Sequence, residues 1–583
     1  MSPTTFRRSM AGWMVALPLV LGGTRADAGG GPENVFLVVN PASASSLAVA
    51  NAYIALRRIA PINVFMLPWE ENTEAVSINA FRQQILAPIL QAIDARRLST
   101  QIDQIVYSTD FPWRVDFAAE LPAQLADKEQ FAYPSGSLTG MTTLYNHVLA
   151  GTPGYLDPVA NLYYRPVDGE GVPVTTVGFR AWYGWGKLGE LYEAGGSRYL
   201  LSSMLGVSMG RGNSVVEIVS YLDRAAKADG TRPKGTVYLV QNKDVRSTTR
   251  SGAFPGVARE LAKLGVACDI VNGTLPVGKR DVAGLTTGAA DVDWQASGSR
   301  VVPGAICENL TSFGAIFTKS AGQTPLSVFL RAGAAGSSGT VTEPYAMQAK
   351  FPHPGIHVHY ARGASLVEAF YQSVHSPYQL LVVGDPLCQP WASIPEVEVA
   401  AKPEGGLMRA GQTLTGRVIL EPRAVAAGNG RVDRFELFVD GVRLGQYGPD
   451  DQVPLDTTIL ADGHHDLRVV AIDASPVESQ GRAVLPVITA NHGRDLILEV
   501  EPREVAVGGT ITISAVGTGV DGVTVFAGGR VLGRIDGPVG KIDVPAARLG
   551  TGTVTIMATG RAGSGPTQAV NAMPVTVTVR PGS

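Results

Sequence analysis

Three places in this sequence combine residue types that can do chemistry. The run Gly206-Val207-Ser208-Met209-Gly210 has the Gly-x-Ser-x-Gly spacing in which glycines let the chain turn sharply and expose a serine hydroxyl. It stands between a strand-like run and a helix start at Ser214, yet it reads equally as a glycine turn before that helix. A serine hydrolase also needs an acid and a downstream histidine, and Asp385 is followed by no histidine within the α/β region. His353, His357 and His359 cluster between Phe351 and Tyr360. If 356–360 is extended, His357 and His359 share a face and can bind a metal with Glu343, although histidine pairs in polar loops also occur without metal. Cys307 follows the apolar run Val301-Val302-Pro303-Gly304-Ala305-Ile306, a position open to a nucleophile or to a buried residue at a strand end. The other two cysteines, Cys268 and Cys388, sit in or beside apolar runs where a thiol packs as a small hydrophobe.

These residues need a scaffold, and from Glu33 to about Trp391 short β-branched runs alternate with amphipathic segments, the pattern of an α/β domain with a largely parallel sheet. Expected strands are Val35-Phe36-Leu37-Val38-Val39, Asn63-Val64-Phe65-Met66-Leu67, Gln104-Ile105-Val106-Tyr107, Thr236-Val237-Tyr238-Leu239-Val240, Val266 through Val271 and Leu380-Leu381-Val382-Val383. Their continuous apolar character fits strands covered by helices on both faces. Helices are expected over 45–58, 77–96, 214–227, 256–264, 325–332 and 365–373, several after a Ser or Asn able to cap free amides. Ligands of open parallel sheets sit beyond the carboxyl ends of the strands, which selects Asn40, Asp110, Asn242, Asp244, Glu308 and Asp385. Asp110 followed by Arg114 suggests a binding pair, and strand-end aspartates also simply cap loops. Residues 112–195 interrupt the rhythm with Gly, Pro and aromatic residues, the composition of an insertion that packs a satellite core or presents a ligand surface.

After Trp391 the helical signal stops. Phe435 through Gly445 aligns with Val523 through Gly533, 88 residues later, and Gly463 through Ala471 aligns with Gly550 through Ala558, 87 residues later. Two landmarks at nearly one offset mark a tandem repeat of all-β units, each close to the size of an immunoglobulin-like sandwich. The expected organisation is 1–28 signal peptide, 29–395 α/β domain, 396–490 first sandwich and 491–583 second sandwich.

The N-terminus supplies the signal-peptide reading: basic Arg7-Arg8, an apolar run from Met10 to Gly23 broken only by Pro18, and small residues at Ala26-Asp27-Ala28. That run is short of the ~20 residues a spanning helix needs, so export without a transmembrane anchor after cleavage is expected, placing the protein in the cell envelope or secreted. A net charge of -3 without a basic cluster excludes a nucleic-acid partner. Three cysteines exclude a disulfide framework. No cofactor motif is recognised, and the expected partner is an envelope or extracellular ligand, protein or glycan.

Several blocks in order, Val38-Val39-Asn40-Pro41-Ala42-Ser43, Leu310-Thr311-Ser312-Phe313-Gly314, Gly339 through Pro344, Gly363 through Val374 and Val383-Gly384-Asp385-Pro386-Leu387, resemble a family of exported bacterial proteins with no assigned activity. The second half is also similar to caspase-like and gingipain-like cysteine peptidases, whose sheet ends in a Gly-Asp-Pro block and whose catalytic cysteine follows a strand. That resemblance puts Cys307 at the nucleophile position and implies a histidine within 271–293, where none occurs. The blocks around Val439-Asp440-Gly441 and Leu460 through Val469 resemble bacterial immunoglobulin-like modules, in which His464 and His465 stand at a strand entrance as structural residues. Two readings follow: a binding protein on a catalytically silent peptidase-like scaffold, or an extracytoplasmic cysteine peptidase using Cys307.

Overall fold

The computed structural model describes residues 30–71, 73–167, 174–187, 189–318, 322–402, 405–426 and 430–582. The expected signal peptide, 1–28, lies outside the described residues. Ten strands build the central sheet: β1 (Val35–Val39), β2 (Val64–Met66), β3 (Gln104–Tyr107), β4 (Leu201–Met204), β5 (Thr236–Gln241), β6 (Ala267–Asn272), β7 (Val282–Gly288), β8 (Val301–Leu310), β9 (Gly336–Thr340) and β10 (Leu380–Gly384), in the order β6-β5-β7-β8-β9-β10-β4-β3-β1-β2. Pairing is parallel through β2-β1-β3-β4 and through β6-β5-β7-β8-β9, while β9 and β10 are antiparallel, so the sheet is mixed. The sequence lacked a strong signal for β7 and β9, which are interrupted by Gly or Ser residues of little strand propensity and are nevertheless buried.

All five residues of β1 are buried, as a strand covered on both faces requires. The edge strand β6 is partly exposed along its length, so its apolar run does not mark double coverage. Helix α1 (Ala44–Arg57) follows β1 and starts where the Ser43 hydroxyl accepts the Ser46 amide at 3.0 Å. Helix α2 (Val215–Ala226) starts from a Ser214/Glu217 capping box. In the aromatic segment, Trp113, Tyr155, Tyr163 and Trp185 are buried, with Tyr163 4.8 Å from Trp185 and 5.0 Å from Phe179 between ring centres; Tyr133 stands out in solvent.

The C-terminal repeat is visible in three dimensions. The hairpins Val432–Val439/Val442–Tyr447 and Gly522–Ala527/Arg530–Asp536 carry register shifts at equivalent places, Leu437/Phe438 and Val525/Phe526. Each turns through two residues of positive φ, Asp440 and Gly441 (52° and 84°) or Gly528 and Gly529 (52° and 76°), as a two-residue turn matched to strand twist requires. Both turns meet the α/β body over residues 60–66. A Cβ on Gly441 would lie 2.5 Å from the Ala60 Cβ, and one on Gly529 would lie 2.6 Å from the Val64 carbonyl oxygen. The two sandwiches have separate apolar cores but share a sheet, because Asp462–Asp473 pairs with Ala569–Asn571. Their linker is held by the Asp462 carboxylate, which accepts the amides of Asn491 at 2.7 Å, His492 at 3.0 Å and Arg494 at 2.9 Å.

The body and the first sandwich are joined through Glu33. This fully buried carboxylate accepts from Arg468 Nη1 at 3.0 Å and lies 3.3 Å from Arg482 Nε. Burial would raise its pKa, but the two guanidiniums outweigh that and hold it below the usual carboxylate range. Arg468→Met strands a buried carboxylate and is expected to cost about 3–5 kcal/mol in urea unfolding, most of it recovered in Arg468→Met with Glu33→Leu. Near the same contact, His465 Nδ1 lies 2.6 Å from an Asp440 carboxylate oxygen. Burial disfavours its imidazolium, yet the hydrogen bond and charge of Asp440 win and raise its pKa above 6.5. The stability this supplies is complete below the unfolded value and is lost as pH rises through the higher folded value. Thermal stability should therefore fall across that interval, and His465→Gln should flatten that part of the profile.

Candidate functional site

The ends of β1, β3 and β4 open onto one polar cleft of about 440 Å³. Asp110 lines it, past the end of β3, with φ of 58°. Aspartate tolerates this left-handed conformation because its short side chain can satisfy hydrogen bonds locally. Its carboxylate accepts the Ser43 hydroxyl on one oxygen and the Ser208 hydroxyl on the other, both at 2.5 Å. Asn40, past the end of β1, donates to the carbonyls of Trp69 at 2.8 Å and Asp110 at 3.0 Å and accepts the amides of Ala42 and Trp69. One side chain thus ties two loops and the start of α1 together. Glu70, Glu71 and Thr73 form a second wall, and the Thr73 hydroxyl lies 2.9 Å from the Met209 sulfur across the cleft.

Of the strand-end residues, the structure brings Asn40 and Asp110 together. Arg114 is nearby but engages Glu74 at 3.3 Å, and Glu74 also accepts the Thr318 hydroxyl at 2.9 Å, so no contact joins Arg114 to the Asp110 carboxylate. Asp385 is far off: it is buried against Arg57 and Tyr53 at the last turn of α1, whereas Ser43 is at the first, roughly 20 Å away by helix rise. Glu308 is buried beneath the β8–β9 contact, where it accepts the Ser338 amide at 2.7 Å; burial, only partly offset by Arg250, pushes its pKa up to about 7. Asn242 and Asp244 organise the start of the helix Val245–Ser251 through short-range hydrogen bonds.

The histidine arrangement differs from the extended one expected. Ile356–Ala361 is helical, so positions 357 and 359 diverge by about 200° around the axis. His357 meets Thr286 at 3.0 Å, and His359 meets Thr176 at 2.8 Å and the Arg165 carbonyl at 3.1 Å. Burial lowers both pKa values to about 3. Glu343 is engaged elsewhere, accepting the Ser312 hydroxyl at 3.1 Å. Among the described residues no group of three or more His, Cys, Asp or Glu side chains is arranged to hold a metal.

Cys307 lies inside β8, fully buried, rather than at the strand's end. It is in register with Leu285 and packs in the same apolar cluster, whereas the neighbouring register pair is Thr286 with Glu308. Since successive side chains alternate faces, His357, bonded to Thr286, is on the opposite side of the sheet from the thiol. Burial, with a smaller contribution from Glu308, raises the thiol pKa far above its ordinary value. Ser208 likewise lacks the elbow setting: its turn is separated from α2 by further loop, with Ser214 as the cap, and its hydroxyl goes to Asp110 rather than to an imidazole. The Gly-x-Ser-x-Gly spacing draws attention to Ser208 without indicating Asp110 as its partner, and no motif marks Ser43, Glu70 or Glu71. The only local signal for Ser43 was its position as a helix cap.

Native protein treated with a thiol-reactive peptidase probe is expected to leave Cys307 unlabelled, with labelling appearing only on unfolding; site assignment by mass spectrometry and a Cys307→Ala control check this. Rapid Cys307-dependent labelling of the folded protein would contradict the buried geometry.

No family model and no curated protein matches the chain. Among solved structures, it is similar to fibronectin(III)-like modules of Clostridium thermocellum CbhA, at 14% identity over 31% of this chain and 92% of that one, with a TM-score of 0.13. It is also similar to Bacteroides ovatus SGBP-B, solved with a mixed-linkage heptasaccharide, at 15% identity over 31% and 47% of the two chains, with a TM-score of 0.19. A chimeric titin Z1Z2 tandem aligns at 14% identity over 30% and 96%, also with a TM-score of 0.19.

Proposed function

We propose that this chain is an exported envelope or extracellular binding protein, organised as a caspase-like α/β body (29–395) and two immunoglobulin-like sandwiches (396–490 and 491–583), with the Asp110 cleft as its ligand site. The basic, apolar and small-residue segments of 1–28 support export. Among the described residues no helix is long and apolar enough to cross a membrane. The Gly384-Asp385-Pro386 block at the end of β10 supports the caspase-like assignment, and the burial of Cys307 supports a silent scaffold.

The observation that carries the ligand assignment is the composition of the cleft. Asp110, Glu70 and Glu71 supply carboxylates, Ser43, Ser208 and Thr73 supply hydroxyls, and the described lining residues include no Lys or Arg. Such a surface accepts hydrogen bonds and favours positive charge, so it suits amine- and hydroxyl-bearing ligands, such as a glycan with free amino groups, and disfavours anionic ones. Ser43 and Ser208 already donate to Asp110, so a ligand amine competes for the same oxygens or recruits the outer carboxylates.

Calorimetric titration with glucosamine oligomers, their N-acetylated counterparts and galacturonate oligomers tests the reading. The free-amine oligomers are expected to bind best, and Asp110→Asn or Glu71→Gln to weaken them by about tenfold, or about 1.4 kcal/mol. Preferential binding of galacturonate, or amine binding indifferent to both substitutions, would remove the cleft as the site.

A further inference from the structure

We propose that the outer face of the three-stranded sheet in the second sandwich docks a protein segment that combines aliphatic and basic side chains. The sheet consists of Asp495–Glu501, Thr510–Thr518 and Val539–Pro545, with the middle strand paired antiparallel to both neighbours. Its inner residues, including Leu498, Ile513 and Val544, belong to the sandwich core. On the outer face, Ile497 is opposite Val516, and Val516 is opposite Val539. These side chains are 53%, 50% and 63% exposed. A single exposed aliphatic residue needs no explanation. Three in register make a continuous stripe across every strand, about 10 Å wide at the usual strand spacing.

The surroundings of the stripe select its occupant. Asp495 flanks it on one side, and Glu499, Glu501 and Asp543 follow on the other; Lys541 is the single basic residue in these rows. The excess of carboxylates repels nucleic acid, anionic lipid and acidic polymers and attracts lysine or arginine. No aromatic ring stands in these rows to stack on a sugar. A second copy packed face to face would set carboxylate rows against one another. A protein segment whose aliphatic side chains cover the stripe while its basic side chains meet the flanking carboxylates satisfies both the apolar and the charged parts of the face.

The test uses the full chain and a fluorescein-labelled peptide of alternating Lys and Val, followed by fluorescence anisotropy at low and high salt, with a Glu–Val peptide as the comparison. The Lys–Val peptide is expected to bind and to weaken with salt. Ile497→Thr with Val516→Thr, which keeps good strand formers at exposed sites, should weaken it by about tenfold or more. Glu499→Gln with Glu501→Gln should reduce the salt dependence, and Asp110→Asn should leave binding unchanged. Thermal unfolding of each variant verifies that the fold is retained. The proposal is overturned if the Glu–Val peptide binds equally, if the threonine variant binds like wild type, or if Asp110→Asn abolishes binding, which would place the peptide in the cleft. It is equally overturned if sedimentation finds a dimer that the threonine changes dissolve, since the stripe would then be a self-association surface.

Discussion

A carboxylate buried at the junction of the α/β body and the first sandwich constrains how the rest can be arranged. Glu33 is shut away from bulk solvent, so its charge is tolerated only while Arg468 and Arg482, from adjacent strands of the sandwich, remain in place. Arg468 is itself oriented by Asp466, to which it donates at 2.7 Å. The pairing is therefore specific in register: a shift of one residue along the Asp462–Asp473 strand would turn Arg468 to the other face and strand the carboxylate. Once it is fixed, the neighbouring turn at Asp440-Gly441 meets Ala60 and Ile62, and the Gly441 carbonyl accepts from Gln101 at 2.7 Å.

The second sandwich inherits its place from the first. Asp462 gathers three consecutive-region amides of the linker, and the shared sheet continues through the Asp462–Val570 and Gly463–Asn571 pairs. The repeated turn at Gly528-Gly529 then reaches the same stretch of the body as its counterpart, and Asn51 on α1 donates to the Leu549 carbonyl at 2.9 Å. The two sandwiches thus share one docking device, a turn with two positive φ values and a glycine that clears the body. The α1 helix connects this interface to the cleft, since Asn51 faces the second sandwich while Ser43 at its start holds Asp110.

Local physics made much of this visible in the sequence. Residues 35–39, 105–107 and 380–383 are short, continuously apolar runs within the strands that form there. The tandem hairpins were legible because a two-residue turn imposes its own residue types. What escaped was non-local. Gly336–Thr340 reads as loop by composition and becomes a strand only because β8 and β10 flank it. His357 and His359 were read with a period of two in a segment that is one and a half turns of helix, and that error of period created the apparent metal pair.

The cleft illustrates the same division at the level of single side chains. Asn40 and Asp110 could be named in advance because the ends of parallel strands leave polar backbone that something must satisfy. That rule does not distinguish a residue serving the loops from one facing a ligand, and it chose Asp385 and Glu308 for the same reason. The distinction comes from what surrounds each carboxylate. Asp385 is neutralised by Arg57, and Glu308 is sealed beneath the β8–β9 contact, so neither has spare capacity facing solvent. Among the described residues, Asp110 has only neutral hydroxyls as side-chain partners on its carboxylate, and it faces an open, acidic cleft. A carboxylate hydrogen-bonded by hydroxyls keeps its full charge, whereas one paired with a guanidinium does not present it outward. Of the four strand-end carboxylates, Asp385 and Asp244 meet arginines and Glu308 is buried, which leaves Asp110 facing the cleft.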